Sequence, residues 1–293
     1  METLEKLRAQ MDSLHRLSNL VKTMKALAAA NIRQYEQSVT ALSGYFRTVE
    51  RGLYVLLRDS GAAQPPPEQS RHKRVAVIVF GSDYGLCGRF NEDITTFTLN
   101  RLQALGIDSQ QRRVLALGGR VTASLERDGQ EVDDTLLLPG SAAQITSTVQ
   151  ALTLLVDAWQ AQHQIQAVYL FYNRQLSGQQ IQPVGFKVWP VELSRFKQLE
   201  EERWPARSIP TYTMPGDQLL AQLLRQYLFV TMFRACAESQ ASEHSSRLSS
   251  MQAAEHNLEE HLQELTGTYR RTRQESITTE LMDIVSGYES MRK

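Results

Sequence analysis

The strongest constraint on this chain is a run of seventy-five residues, 217–291, without a proline. Proline removes a backbone donor and clashes with the preceding turn, so its absence leaves room for one unbroken helix, roughly 110 Å long at 1.5 Å per residue. That is too long to close on itself inside a compact domain. Along it apolar residues recur in steps of four and three: Leu258, Leu262, Leu265 and Tyr269, then Ile277, Leu281, Ile284, Tyr288 and Met291. Such spacing keeps one seam turned toward another long helix.

A second seam lies at the other end of the chain. With Leu4 at heptad position a, the a positions are Leu4, Met11, Ser18, Lys25, Ile32, Val39, Phe46 and Leu53. The d positions are Leu7, Leu14, Val21, Ala28, Tyr35, Leu42, Val49 and Leu56, so only Ser18 and Lys25 break the stripe. All nine prolines fall between Pro65 and Pro215. The expected fold is therefore α/β plus a long antiparallel coiled coil, the N- and C-terminal helices paired and a Rossmann-like α/β domain inserted between them.

The expected boundaries follow from the punctuation. Residues 1–60 form the first helix, with Gly44 and Gly52 expected to bend or loosen it late. Residues 61–73, with Pro65, Pro66 and Pro67, read as a linker. Residues 74–193 read as the α/β domain, 194–216 as a connector with three prolines, and 217–293 as the last helix. Within the domain the continuous apolar run 75–80 predicts a buried parallel strand, followed by the turn G-S-D-Y-G-L-C-G at 81–88. Helices are then expected at 90–105, 119–127 and 141–162, strands at 114–117, 135–138 and 167–172, and an edge strand or hairpin at 180–191.

Composition excludes several classes. Lys plus Arg and Asp plus Glu are equal at 32 each, so no net field points to nucleic acid. The first 58 residues carry nine basic and five acidic side chains, a net of +4 that favours an acidic partner surface or a solvated face. Two distant cysteines, Cys87 and Cys236, imply no disulfide framework. No leader pattern and no 18-residue apolar span is visible. The glycines at 81, 85 and 88 match neither the dinucleotide fingerprint nor the P-loop, so tight turning, with Asp83 capping nearby amides, is the expected role. His256 and His261, five apart, fall on different faces of a helix, and no nucleophile motif is present. No catalytic, cofactor or metal site is expected. The polar breaks at Ser18, Lys25 and Arg270 to Gln274 either set register or meet an outside partner.

Three segments together resemble one family, the gamma subunit of F-type ATP synthases, in a divergent, bacterial-type form. The last helix is similar through Ala241, Ser242, Glu243, His244 and Arg247, then Met251, Ala253, Ala254 and Asn257, then R-Q-x-S-I-T-x-E-L-x-x-I-V-S-G at 273–287. The first helix is similar through Leu7, Arg8, Ser13, K-T-M-K-A-L-A-A at 22–29 and Arg33. The turn S-D-Y-G-L-C-G-R-F-N, 82–91, resembles the family's D-R-G-L-C-G-x-x-N, with Tyr84 and Arg89 as departures.

The resemblance implies a non-catalytic rotor. The helix pair would be the shaft inside a hexameric ring of alpha and beta subunits, and the α/β domain a foot on the membrane c-ring beside the epsilon subunit. Arg273, Gln274 and Thr278 would contact beta-subunit loops, and Lys22, Met24 and Lys25 would lie near an acidic region of beta. Ile284, Val285, Tyr288 and Met291 would sit in an apolar bearing, and Asp83, Gly85, Leu86, Cys87, Gly88 and Asn91 form the foot turn. The implied location is the cytoplasmic face of a bacterial inner membrane, peripheral, within the complex. A non-rotary coiled-coil scaffold or adaptor, and a nucleotide-binding α/β enzyme with helical arms, are the other readings.

Overall fold

The computed structural model describes residues 4–59, 74–176, 180–191 and 211–291. The expected linker 61–73 and most of the expected connector, 194–210, lie outside them. Two helices dominate: α1, Leu4–Asp59, and α5, Gly216–Met291, of 56 and 76 residues. Helix α1 runs as one continuous helix through Gly44 and Gly52. At Gly52 the missing side chain is useful, because a Cβ there would lie 3.3 Å from Leu223 Cδ2. The glycine lets the two helices approach, and Val49, Leu53 and Tyr227 pack around them.

Contacts divide the chain into two compact units, residues 1–28 with 247–293, and residues 29–246. In the first unit every a and d position of α1 is buried or half-buried, Ser18 included. On α5, Met251 is buried and Leu258, Leu262, Leu265 and Tyr269 are half-buried. Lys25 of α1 meets Glu255 of α5. From that pair an antiparallel partner reaches Leu4 at about residue 276, twenty-one residues further along a helix of equal rise. Past Ser276 every α5 residue whose surroundings are described is exposed. Among the described residues, the stripe of Ile277, Leu281, Ile284, Tyr288 and Met291 therefore extends beyond the start of α1 without a partner.

The second unit is built on a five-stranded sheet in the order β3-β2-β1-β4-β5. Strands β1 (Val75–Phe80), β2 (Arg112–Leu117), β3 (Asp134–Leu136) and β4 (Ala167–Gln175) are parallel, and β5 (Ile181–Trp189) joins β4 antiparallel at the edge. Alternation along β1 splits the core. Val75, Val77 and Val79 face α2 (Phe90–Ala104) and α3 (Gly119–Arg127), where Ile94, Leu102, Val121 and Leu125 are buried. Ala76, Ile78 and Phe80 face α4 (Ile145–His163), Tyr35 of α1, and Met232 and Cys236 of α5. Both faces are covered, so β1 reads as a continuous apolar run.

Local boundaries moved where short elements depend on neighbours. The strand expected at 135–138 is the three-residue β3. Asp83 of the first turn accepts from the Leu138 amide, which takes that residue out of the ladder. The helix expected from 141 opens with a 3-10 turn, Ala142–Gln144, and becomes α-helical at Ile145.

Candidate functional site

The residues of the turn after β1 are brought together by hydrogen bonds. Gly81 leaves β1 with no room for a side chain, since a Cβ there would sit 2.2 Å from Val121 Cβ and 2.7 Å from Asn91 Oδ1. Asn91, at the start of α2, accepts from the Ser82 amide at 2.9 Å and donates to Ser82 Oγ at 2.8 Å. Its Nδ2 also reaches Cys87 Sγ at 3.7 Å. The Ser82 hydroxyl donates to the Tyr84 carbonyl, and Leu86 and Gly88 take positive φ, 64° and 59°. Asp83 bonds the Gly119 amide at 3.2 Å and the Leu138 amide at 3.1 Å. The amides it caps are thus 36 and 55 residues away, where spacing could not reveal them. The turn presents Tyr84 and Leu86 to solvent, Tyr84 at 77% exposure, while Cys87 is buried.

The motif of α5 that carries the resemblance lies behind this turn. Ser246 Oγ donates to the Cys87 carbonyl at 2.7 Å. Ser242 and Glu243 are buried, and Gln240 Nε2 donates to Glu243 Oε2. The His244 ring stacks on Tyr35, centroids 5.7 Å apart and planes at 17°. Tyr35 donates to the Pro139 carbonyl at 3.1 Å. Burial, then the neighbouring Cys236 and Glu243, pushes its phenol up to about 12. Burial alone pushes the Cys236 thiol up to about 12. The Tyr35 phenol and the Cys236 thiol therefore stay neutral at neutral pH.

The helix-borne residues are placed differently. Arg273, Gln274 and Thr278 are exposed along α5, with Thr278 Oγ1 donating to the Gln274 carbonyl. Ile284, Val285, Tyr288 and Met291 are exposed, Met291 at 84%. Lys22 is exposed and Met24 half-buried. Lys25 is engaged within the chain, its Nζ 2.5 Å from Glu255 Oε2. That hydrogen bond, more than the charges of Lys25 and Lys22, holds the Glu255 carboxyl below the usual range.

One surface escaped the sequence reading. Leu17, Leu20 and Leu27 are exposed, and with Met24 they form a second three-four stripe on another face of α1. In the sequence this stripe shows as the same three-four spacing started one residue before Ser18.

Among the described residues no group of His, Cys, Asp or Glu is placed to hold a metal ion, and no helix is long and apolar enough to cross a membrane. Two long terminal helices with an α/β domain inserted between them in the sequence, and exposed charged and apolar residues along both helices, define the class of this chain. The model of the family described as ATP synthase matches residues 3–291, and the chain belongs to this family. It is 29% identical over 287 residues to the ATP synthase gamma chain of Cupriavidus pinatubonensis, covering 97% of each. It is 28% identical to that of Desulforamulus reducens over 282 residues, 96% of each. Its fold resembles a chain of the Euglena gracilis mitochondrial ATP synthase OSCP/F1/c-ring structure, with a TM-score of 0.68, 18% identity, and 98% of this chain and 94% of that one covered.

Proposed function

We infer that this chain is the gamma subunit, the central-stalk rotor of an F-type ATP synthase, with no catalytic site of its own. The observation that carries the reading is the family match across residues 3–291, joined to a 76-residue helix whose last turns are exposed among the described residues. The partners are the alpha and beta subunits, the epsilon subunit and the c-ring. The site is peripheral, at the cytoplasmic face of a bacterial inner membrane. No observation favours the scaffold reading.

The physical task is torsional. A stiff, asymmetric shaft offers a different surface to each beta subunit, and rotation moves those differences around the ring. Nucleotide affinity follows because the contact free energies differ between states, and coupling is that difference. In this reading Arg273, Gln274 and Thr278, with Lys22 and Met24, contact beta. Lys25 contributes through its hold on Glu255, which fixes the helix pair beneath them. Ile284, Val285, Tyr288 and Met291 fill the apolar bearing, and the ordered turn from Asp83 to Asn91 braces the foot.

The test is reconstitution with alpha, beta and epsilon subunits. Arg273→Ala with Gln274→Ala should leave helicity unchanged by circular dichroism and impair ATP-driven rotation. Unchanged rotation removes these two residues from the role, and a chain that never co-purifies with alpha and beta sinks the rotor reading itself.

A further inference from the structure

We propose that the end of the sheet where β1 and β2 begin is a binding site for a single phosphate group, carried by a free anion or by a lipid headgroup. The site lies wholly within residues 29–246 and does not depend on the rotor reading. Parallel register sets Val75 beside Arg112 and Ala76 beside Arg113, so Arg74, just before β1, and the first two residues of β2 share one edge. The end of α4 and the approach to β4 close the other side, with the Gln166 amide bonded to the Arg74 carbonyl at 2.9 Å.

The result is a cavity of about 260 Å³ lined by Arg74, Gln110, Gln111, Arg112, Arg113, His163 and Ile165. Three arginines and two glutamines are among the lining residues, and no aspartate or glutamate is. Arginine forks match the oxygens of a phosphate, which makes this donor set selective for such an anion. The volume lies below the roughly 300–1,000 Å³ typical of small-molecule pockets and is enough for one phosphate group.

The three arginines are not equivalent. Arg113 is partly neutralised by Asp133, 3.5 Å away, and lies over the Trp159 ring. Arg74 uses Nη1 on the His163 carbonyl at the end of α4, and Arg112 uses Nη1 on the Ile107 carbonyl. Each of these two bonds leaves other guanidinium donors of the fork. Arg112 is the less well compensated, since its Nε is buried without a hydrogen-bond partner. Burial lowers its pKa against the opposing pull of Asp108. A cation held in partial desolvation gains more from an anion than one in open water does. Arg74 and Arg112 are therefore the expected ligands, with Gln110 and Gln111 as amide donors.

The experiment uses the purified full chain and two probes. Isothermal titration with sodium phosphate, against sodium chloride at matched ionic strength, reads free anion. Co-sedimentation with phosphatidylglycerol–phosphatidylcholine vesicles, against phosphatidylcholine alone, reads headgroup. Saturable binding to either probe, weakened roughly tenfold or more by Arg112→Gln and by Arg74→Gln, is expected from losing a charged hydrogen bond. Arg89→Gln, at the opposite end of the sheet, should leave it unchanged. Binding of phosphate identifies a free-anion site, and binding of vesicles alone identifies a headgroup site. Binding of neither probe, or equal weakening by Arg89→Gln, overturns the proposal. Arg74 is exposed, so Arg74→Gln keeps the test decisive if Arg112→Gln fails to fold.

Discussion

Lys25 Nζ and Glu255 Oε2 meet at 2.5 Å between α1 and α5, at an a position where the heptad calls for an apolar side chain. The side chains keep 36% and 17% of their surface exposed, so this is a seam-edge pair rather than a buried one. The charge is placed where only one longitudinal alignment of the helices satisfies it, which is how a polar residue specifies register. The carboxyl of Glu255 is held low, chiefly by the Lys25 hydrogen bond. A group whose folded pKa is depressed contributes stability that is present above its ordinary value, 4.5, and lost as pH falls through the folded value. The melting-temperature difference between the wild-type chain and Glu255→Gln should thus be present at pH 7 and vanish in acid below that range. The double variant Lys25→Met with Glu255→Leu should melt no lower than wild type, because an apolar pair restores the stripe. A thermal melt series by circular dichroism checks both.

A second pH response has the opposite sign. Cys236 and Tyr35 have their pKa values raised from ordinary values of 9.0 and 10.0 to about 12 each. In the folded state they hold protons that the unfolded chain gives up, so their contribution is whole below pH 9 and lost as pH climbs toward 12. Stability should fall steeply across that window. Tyr35→Phe, which also gives up the bond to the Pro139 carbonyl, and Cys236→Ala should each flatten the alkaline fall while costing some stability at pH 7. Denaturant melts at pH 7.5, 9.5 and 11 measure it.

What was legible in the sequence was whatever depends on near neighbours. The sixteen a and d positions counted from Leu4 are all sheltered, because period and length suffice to place a helix face. The run 75–80 announced β1 because both of its faces are covered. The turn was legible as a turn, yet its bonding was not. Asn91 is bonded back to Ser82, Asp83 reaches Gly119 and Leu138, and Ser246 closes on Cys87 from 159 residues away. Nothing in local spacing encodes partners at that range. At Gly52, likewise, intrinsic propensity counts the glycine's cost, while its use comes from tertiary packing against Leu223.

Two glycines should respond in opposite directions to the same substitution. At Gly44, within α1, nothing lies within 4 Å of an added Cβ. Gly44→Ala should stabilise by about 0.5–1 kcal/mol, the helix-interior difference between the two residues. At Gly81 the Cβ would overlap Val121 and the Asn91 carboxamide that holds the turn. Gly81→Ala should therefore cost about 1–3 kcal/mol or more, as overpacking does. Chemical denaturation of the two variants side by side separates propensity from packing.

Leucines on the two faces of α1 provide the final prediction. Leu7 is fully buried in the seam, whereas Leu20 is more than half exposed on the outer stripe with Leu17 and Leu27. Leu7→Ala should cost about 2–5 kcal/mol, transfer and cavity terms together. Leu20→Ser, touching little within the chain, should change stability by about 0.5 kcal/mol or less. If the outer stripe is a contact surface of the assembled rotor, the same Leu20→Ser, combined with Leu27→Ser, should weaken association with the alpha–beta ring while the isolated chain melts as wild type. An apolar stripe of three exposed leucines is more than scattered surface hydrophobicity requires, and its loss is felt only where a partner covers it. Equal recovery of the variant and wild-type chains in the reconstituted complex, followed by equal rotation, would return those leucines to the solvent.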